Sequence, residues 1–180
     1  MKKITIACAF AALLCAASAP AKDTTPEEVR RQAREIFQKV ISFRTSEGLG
    51  QVPAMAQYLA ERFRAAGFKE EDIHILPVGE TASLVVRYRG NGRGGKPILL
   101  LAHMDVVTAK PEEWQRDPFT LIEENGYFFG RGTLDNKQGV TTLTTTFLRL
   151  KREGFVPTRD LIIAFSGYME IGRASCRERV

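Results

Sequence analysis

Apolar residues along this chain recur first at helical spacing and later in short runs typical of strands. The predicted elements are, in order, a helix that starts near Pro26 and carries apolar residues as far as Ile41, a helix over 53–66, strands over 73–78, 83–89 and 97–103, a helix over 137–152 and a strand over 159–167. Strands that alternate with helices predict an α/β fold, with a mostly parallel or mixed central sheet flanked by helices. Ligands of such folds bind in a crevice beyond the carboxyl ends of the strands.

Two features between these elements indicate no chemistry of their own. The glycine-rich residues 90–95 lack the lysine-serine/threonine ending of a phosphate-binding loop and open no helix, so we expect a flexible hairpin connection. His74 lies in a strand without a paired carboxylate motif, and we interpret it as a surface or structural residue.

A candidate site begins at His103-Met104-Asp105, directly after the apolar run 97–102. Strand side chains repeat every second residue, so His103 and Asp105 are expected on one face. The imidazole suits a metal such as zinc, and a nearby carboxylate can accept the other ring N–H and fix the tautomer. A lone histidine at a strand end is more often structural, so this interpretation depends on the rest of the chain.

A second block, Gly-Arg-Gly-Thr-Leu-Asp-Asn-Lys, spans residues 130–137. Its glycines permit a tight turn before Asp135, which precedes a predicted helix. Asp135 is therefore either an N-cap or a site carboxylate.

The two blocks together, with Trp114, the Asp117-Pro118-Phe119 turn and the Asn125-Gly126 hairpin signal between them, resemble the M20 family of metallopeptidases. The similarity runs from about residue 28 to residue 167. The family comprises co-catalytic zinc carboxypeptidases, dipeptidases and deacylases. The resemblance implies a di-zinc exopeptidase-like catalytic domain and two zinc ions in each active site of the intact protein.

The resemblance also implies roles for single residues. His103 matches a ligand to one zinc, Asp105 the catalytic-site carboxylate that orients it, and Asp135 the carboxylate that bridges both metals. A shared anion screens two dications that lie roughly 3.5–4 Å apart. The family usually has a cis peptide bond after this aspartate, so one is expected between Asp135 and Asn136.

The third block departs from the family pattern. Family members typically have Gly-Asp-Glu-Glu, with the first Glu as general base and the second as zinc ligand, whereas this chain has Gly167-Tyr168-Met169-Glu170. Met169 cannot accept a proton, and Glu170 falls at the metal-ligand position. Tyr168 and Met169 are either genuine residues or sequencing errors.

Residues 171–180 match the translation of a common sequencing adapter, which predicts a non-native tail. On this hypothesis residues 22–170 are the N-terminal part of a catalytic domain, without its dimerisation and lid domain or its remaining ligands. We then expect an incomplete sheet with exposed apolar faces, and a fragment that neither folds stably nor turns over substrate. The intact protein is expected to be a homodimer.

The N-terminus predicts export. Lys2 and Lys3 precede an apolar stretch, and Ala19-Pro20-Ala21 fits a signal-peptide cleavage site, so residues 1–21 are interpreted as a secretory signal of a bacterial periplasmic or secreted protein. A lipoprotein signal ranks second. The remaining segment 22–170 has no cysteine, since Cys8, Cys15 and Cys176 lie in the two ends. Disulfides and thiolate zinc ligands are therefore excluded there.

Most of the formal net charge of +5 also comes from the two ends of the chain. Lys2 and Lys3 contribute two of the five charges, and residues 171–180 contribute two more. Neither a nucleic-acid nor a membrane partner is therefore indicated beyond export.

The function predicted for the intact protein is zinc-dependent hydrolysis of an amide bond in a peptide or an N-acyl amino acid. Three alternatives stay open: the related aminopeptidase type of di-zinc enzyme, a non-catalytic secreted binding protein that lost its base, and an inert fragment. The block at 130–137 speaks against the first, and Met169 favours the second.

Overall fold

A computed structural model describes residues 26–168. The elements are α1 (Glu27–Ser42), α2 (Val52–Ala65), β1 (Ile73–Val78), β2 (Thr81–Tyr88), β3 (Ile98–His103), β4 (Ile122–Glu124), β5 (Tyr127–Phe129), α3 (Lys137–Arg152) and β6 (Leu161–Ser166). All the elements predicted from the pattern are confirmed to within a few residues. The predicted signal peptide and the suspected adapter-derived tail lie outside the described residues.

The main sheet has four strands in the order β1-β2-β6-β3. Strands β1, β2 and β6 are antiparallel neighbours, and β3 pairs parallel to β6 with His103 opposite Ser166. Because β3 and β6 run in the same direction, their carboxyl ends meet at one edge of the sheet. The predicted mixed α/β architecture is therefore confirmed, with the His103 block and the residues after β6 placed side by side.

The three helices cover one face of this sheet. Alternate residues of β2 and β6, including Leu84, Val86, Ile163 and Phe165, are fully buried against them in one hydrophobic core. The α3 helix contacts β3, and α1 packs on α3. The opposite face exposes Leu99 and Leu101, which are 57% and 69% accessible.

The connection at residues 90–95 is not the expected hairpin. Strand β6 lies between β2 and β3, so this loop crosses the amino end of β6. Its main chain bonds there, with the Gly94 N–H donating to the Thr158 carbonyl over 2.7 Å. A Cβ on Gly90 would lie 2.4 Å from the Arg159 carbonyl carbon, so the glycine permits this close approach.

A second, two-stranded sheet pairs β4 with β5. Asn125 and Gly126 join them with φ values of 53° and 80°, which confirms the hairpin signal.

The first helix begins next to Pro26, as predicted. Pro26 occupies the N-cap position, and no side chain forms a capping hydrogen bond there. Within residues 26–168, none of the helices combines the length and apolar character required to span a bilayer.

Candidate metal centre

His103 is the last residue of β3 and lies at the carboxyl edge of the sheet. The parallel pairing with β6 sets its position, and the next residue, Met104, donates its N–H to the Ser166 carbonyl over 2.7 Å. The ring is largely buried, with 9% of the side chain exposed. A rigid strand therefore delivers the imidazole to the start of the third block.

Asp135 lies against this ring although it comes from another loop. Its Oδ1 is 2.9 Å from His103 Nε2, and 66% of its side chain remains exposed. The structure thus brings together the two residues that the sequence assigned to one metal centre. The exposure of the Asp135 carboxylate leaves it accessible to a cation.

Asp105 lies on the other side of the same ring, fully buried. Its main-chain carbonyl is 2.9 Å from His103 Nδ1, whereas its carboxylate Oδ1 is 3.4 Å away. Strand β3 ends at His103. Two residues later, Asp105 brings both its main-chain carbonyl and its carboxylate to the Nδ1 side of the ring.

The electrostatics of the site favour positive charge at the ring. The hydrogen bond to the Asp105 side chain is the largest cause that raises the pKa of His103; partial burial opposes it, and the hydrogen bond to the Asp135 side chain raises it further, to about 9. Carboxylates on both sides of an imidazole are the surroundings in which a cation is stabilised.

The loop that carries Asp135 joins β5 to α3. Gly130 and Gly132 have positive φ values of 154° and 90°, and the Asp135–Asn136 peptide bond is cis, as the resemblance predicted. Asn136 is the N-cap residue of α3, so the alternative interpretation of Asp135 as the N-cap is wrong. The extra residue releases the Asp135 carboxylate from the helix end and lets it contact His103.

Lys137 is a buried residue of the site region that the sequence analysis named only as the end of a motif. It is completely inaccessible, and its Nζ donates to the Phe43 carbonyl over 2.6 Å. Burial lowers the pKa of Lys137 to about 7. A signal for this was present, because Lys137 shares its helical spacing with the buried residues Val140, Thr141 and Thr144.

The donor set fits part of a zinc site. An imidazole nitrogen and a carboxylate oxygen are ordinary zinc ligands, and His103 and Asp135 present them within contact of each other. In the described part of the chain no three His, Cys, Asp or Glu side chains form a metal-binding group. Glu170, the third predicted ligand, and Met169 lie outside the described residues.

The other histidine is exposed on β1 and takes no part in this cluster. This agrees with the interpretation of His74 as a surface residue. A cavity of about 350 Å³ adjoins His103 on the open sheet face, with Leu101, Ala164 and Asn136 among its lining residues. Space beside the candidate ligands is therefore bounded mainly by apolar side chains.

Comparison with known proteins identifies the family of this part of the chain. The model of peptidase family M20/M25/M40 matches residues 99–178, a range that contains His103, Asp105 and Asp135. A protein of Saccharomyces cerevisiae named "Probable di- and tripeptidase DUG2" is 30% identical over 162 residues, which are 84% of this chain and 18% of DUG2. The N-fatty-acyl-amino acid synthase/hydrolase PM20D1 of Xenopus tropicalis is 38% identical over 89 residues, 49% of this chain and 17% of that protein.

The chain therefore spans less than a fifth of the length of these two relatives. Among solved structures, the dipeptidase Dug1p of Saccharomyces cerevisiae superposes with a TM-score of 0.69 at 22% identity, covering 84% of this chain and 35% of Dug1p. That likeness shows a shared fold. The family match across both sequence blocks, together with 30% identity to DUG2 over 84% of this chain, shows that the chain belongs to peptidase family M20/M25/M40.

Proposed function

We propose that the complete protein is a zinc-dependent hydrolase that cleaves amide bonds in peptides or N-acyl amino acids. Family membership supports hydrolysis, and the names of two relatives, a di- and tripeptidase and an N-fatty-acyl-amino acid hydrolase, support the two substrate classes. The observation that carries the proposal is the 2.9 Å approach of Asp135 Oδ1 to His103 Nε2.

The residues at the site have distinct roles in this proposal. His103 would hold zinc through Nε2, Asp135 would be the carboxylate ligand shared between two zinc ions, and Glu170 would supply a further ligand. Bound zinc would polarise the scissile carbonyl and lower the pKa of a water molecule towards neutrality. Asp105 keeps Nδ1 of His103 occupied, which leaves Nε2 as the nitrogen available to a metal.

The proton transfer also needs a general base, which takes a proton from water and gives it to the leaving amine. Position 169 carries methionine, which has no basic group. We propose that a catalytically active form has a carboxylate there. Sequencing this codon from source DNA tests the point, and a genuine methionine would favour the alternative of a non-catalytic binding protein.

Zinc titration against a chromophoric chelator tests the metal centre. We expect the protein encoded by the complete gene, hereafter the complete protein, to bind two zinc ions per chain. His103→Ala and Asp135→Asn should each weaken binding by on the order of 100-fold or more, since outer-shell changes alone weaken metal sites by 10–100-fold. His74→Ala is the matched control, because His74 is exposed on β1 and away from the site.

Wild-type zinc affinity in both site variants would contradict the proposal. The reaction itself is tested by incubating the complete protein with dipeptides and N-acyl amino acids and measuring the free amine released. We expect activity that a chelator removes and zinc restores. Zinc binding without hydrolysis of any of these amides would favour the binding-protein alternative.

We also propose that the protein is exported and dimeric. A signal peptide cleaved after Ala21 would leave a mature chain that starts at Lys22. Mass spectrometry of the periplasmic fraction tests the cleavage site, and sedimentation of the complete protein tests the homodimer.

A further inference from the structure

We propose that Lys137 is a positioning residue that, through the main chain of residues 43–45, holds the Asp135 loop at a fixed distance from the His103 loop. Residues 43–45, here called the strap, follow α1 and contact both loops of the site. This inference rests on the proposed function and concerns how its metal centre is kept in shape.

The first contact ties the strap to the Asp135 loop. Lys137 follows Asp135 by two residues, and its Nζ donates to the Phe43 carbonyl over 2.6 Å, across a sequence separation of 94 residues. Its main-chain N–H donates to the Gly132 carbonyl over 3.0 Å. Lys137 thus closes its own loop with its backbone and anchors that loop to the strap with its side chain.

The second contact ties the strap to the His103 loop. Thr45 is fully buried, and its hydroxyl donates to the Met104 carbonyl over 2.8 Å. Its own carbonyl accepts the Val106 N–H over 3.3 Å. The strap therefore forms hydrogen bonds to the residues on both sides of Asp105, the residue that contacts the imidazole.

Gly132, on the Asp135 loop, lies close to both Lys137 and the His103 loop. A Cβ added to Gly132 would lie 2.9 Å from Lys137 Cδ and 3.1 Å from Val106 Cγ1. A side chain at position 132 would therefore crowd both the Lys137 stem and a residue of the His103 loop, so the glycine permits the close approach of the two loops.

Burial of a lysine here is not explained by packing alone. Taking an ammonium out of water is unfavourable, and an apolar side chain of similar length would fill the same volume. A hydrogen-bond donor is useful at this position because the carbonyl of Phe43, the C-cap residue of α1, lies in a part-buried position where Lys137 Nζ bonds to it. We therefore assign the buried lysine a role in positioning the two loops.

The test uses Lys137→Met in the complete protein, which keeps the stem and removes the donor. We expect zinc affinity to fall about tenfold or more, as for other outer-shell changes. The melting temperature of the metal-free protein should stay within a few degrees of wild type, since loss of the hydrogen bond is offset by loss of the buried charge.

A second pair of variants tests the other end of the strap. Thr45→Val keeps the shape and removes the hydroxyl, and should also weaken zinc binding, whereas Thr45→Ser keeps the donor and should bind zinc like wild type. Thr144→Val is the control for replacing a buried hydroxyl, because Thr144 lies in α3 without a partner for its Oγ1 among the described residues. It should leave zinc affinity unchanged.

The outcomes separate this inference from the proposed function. Wild-type zinc affinity in Lys137→Met and Thr45→Val would overturn the positioning role and leave the metal centre intact. A fall in melting temperature with unchanged zinc affinity would assign both residues to stability alone and also overturn it. A wild-type protein that binds no zinc would overturn the proposed function and this inference together.

Discussion

Gly132 shows at the scale of one residue how the site loop depends on a missing side chain. Its φ of 90° is rarely adopted by residues with a Cβ, and its surroundings leave no space for one. Gly95 has a similar φ of 81°, yet a Cβ there would meet nothing within 4 Å. A comparison of substitutions at the two positions therefore distinguishes the effect of backbone strain from the effect of crowding.

We expect Gly132→Ala to destabilise the complete protein more than Gly95→Ala does. Both substitutions introduce backbone strain on the order of 1 kcal/mol, and crowding against Lys137 and Val106 should add about 1–3 kcal/mol at Gly132 only. Urea unfolding of both variants measures the difference in the free energy of unfolding. Equal effects would show that the contact with Lys137 imposes no constraint.

Asp160 connects three elements at the amino end of β6. It accepts hydrogen bonds from the Gly90 N–H and from Arg87 Nε, each over 2.8 Å. The Gly90 N–H, and after it Arg87, holds the pKa of the Asp160 carboxyl below its usual range. The Asp160 carboxylate thus attaches the loop of residues 90–95 to the start of β6, which this loop crosses.

The pH dependence of this contact has a definite sign. A carboxyl whose pKa is lowered by folding contributes stability above its unfolded pKa of about 3.9, and this contribution is lost as the pH falls through the folded value. Asp160→Asn should therefore lower the free energy of unfolding by about 0.5–1.5 kcal/mol at pH 7. At a pH below the folded pKa the variant and wild type should unfold alike.

Urea unfolding at pH 7 and under acid conditions checks this prediction. Glu153→Gln is the control, because Glu153 forms an exposed i,i+4 pair with Arg149 in α3 and should change stability by less than about 0.5 kcal/mol. A difference between Asp160→Asn and wild type that persists at acid pH would contradict the assignment.

At the scale of the whole molecule, the main sheet within residues 26–168 has one covered and one open face. The open face carries Leu76, Val78, Leu99 and Leu101, all at least half exposed, and it continues into the cavity beside His103. Contiguous apolar surface of this kind marks an interaction site or a region prone to association. We therefore expect the chain of 180 residues to associate with itself when expressed alone.

Leu101→Lys tests this expectation. In the 180-residue chain the substitution should reduce self-association in sedimentation velocity without loss of helix content, because Leu101 faces away from the helices and is 69% exposed. In the complete protein it should lower stability by about 1.5–3 kcal/mol if other residues cover the face. Val156→Lys is the control, because Val156 is an exposed apolar residue outside the sheet. It should change neither self-association nor stability.

Much of the local structure was predictable because it depends on neighbours within a few residues. The helical spacing that ends at Ile41, the strand that ends at His103 and the Asn125-Gly126 turn were all predicted from such patterns and are confirmed. The candidate site residues were also predictable from local sequence, since His103, Asp105 and Asp135 lie in short motifs that resemble those of the family.

Order among the strands and the buried contacts of the site depended on the tertiary structure. The apolar pattern of β6 says that it is buried but not that it lies between β2 and β3, and the hairpin expected at residues 90–95 was wrong for that reason. In the same way, the sequence alone determined which histidine and two aspartates are candidates for the site, whereas packing decided that the main-chain carbonyl of Asp105 lies nearest the ring and that Lys137 reaches Phe43. Such contacts join residues far apart in the chain, and no local pattern encodes them.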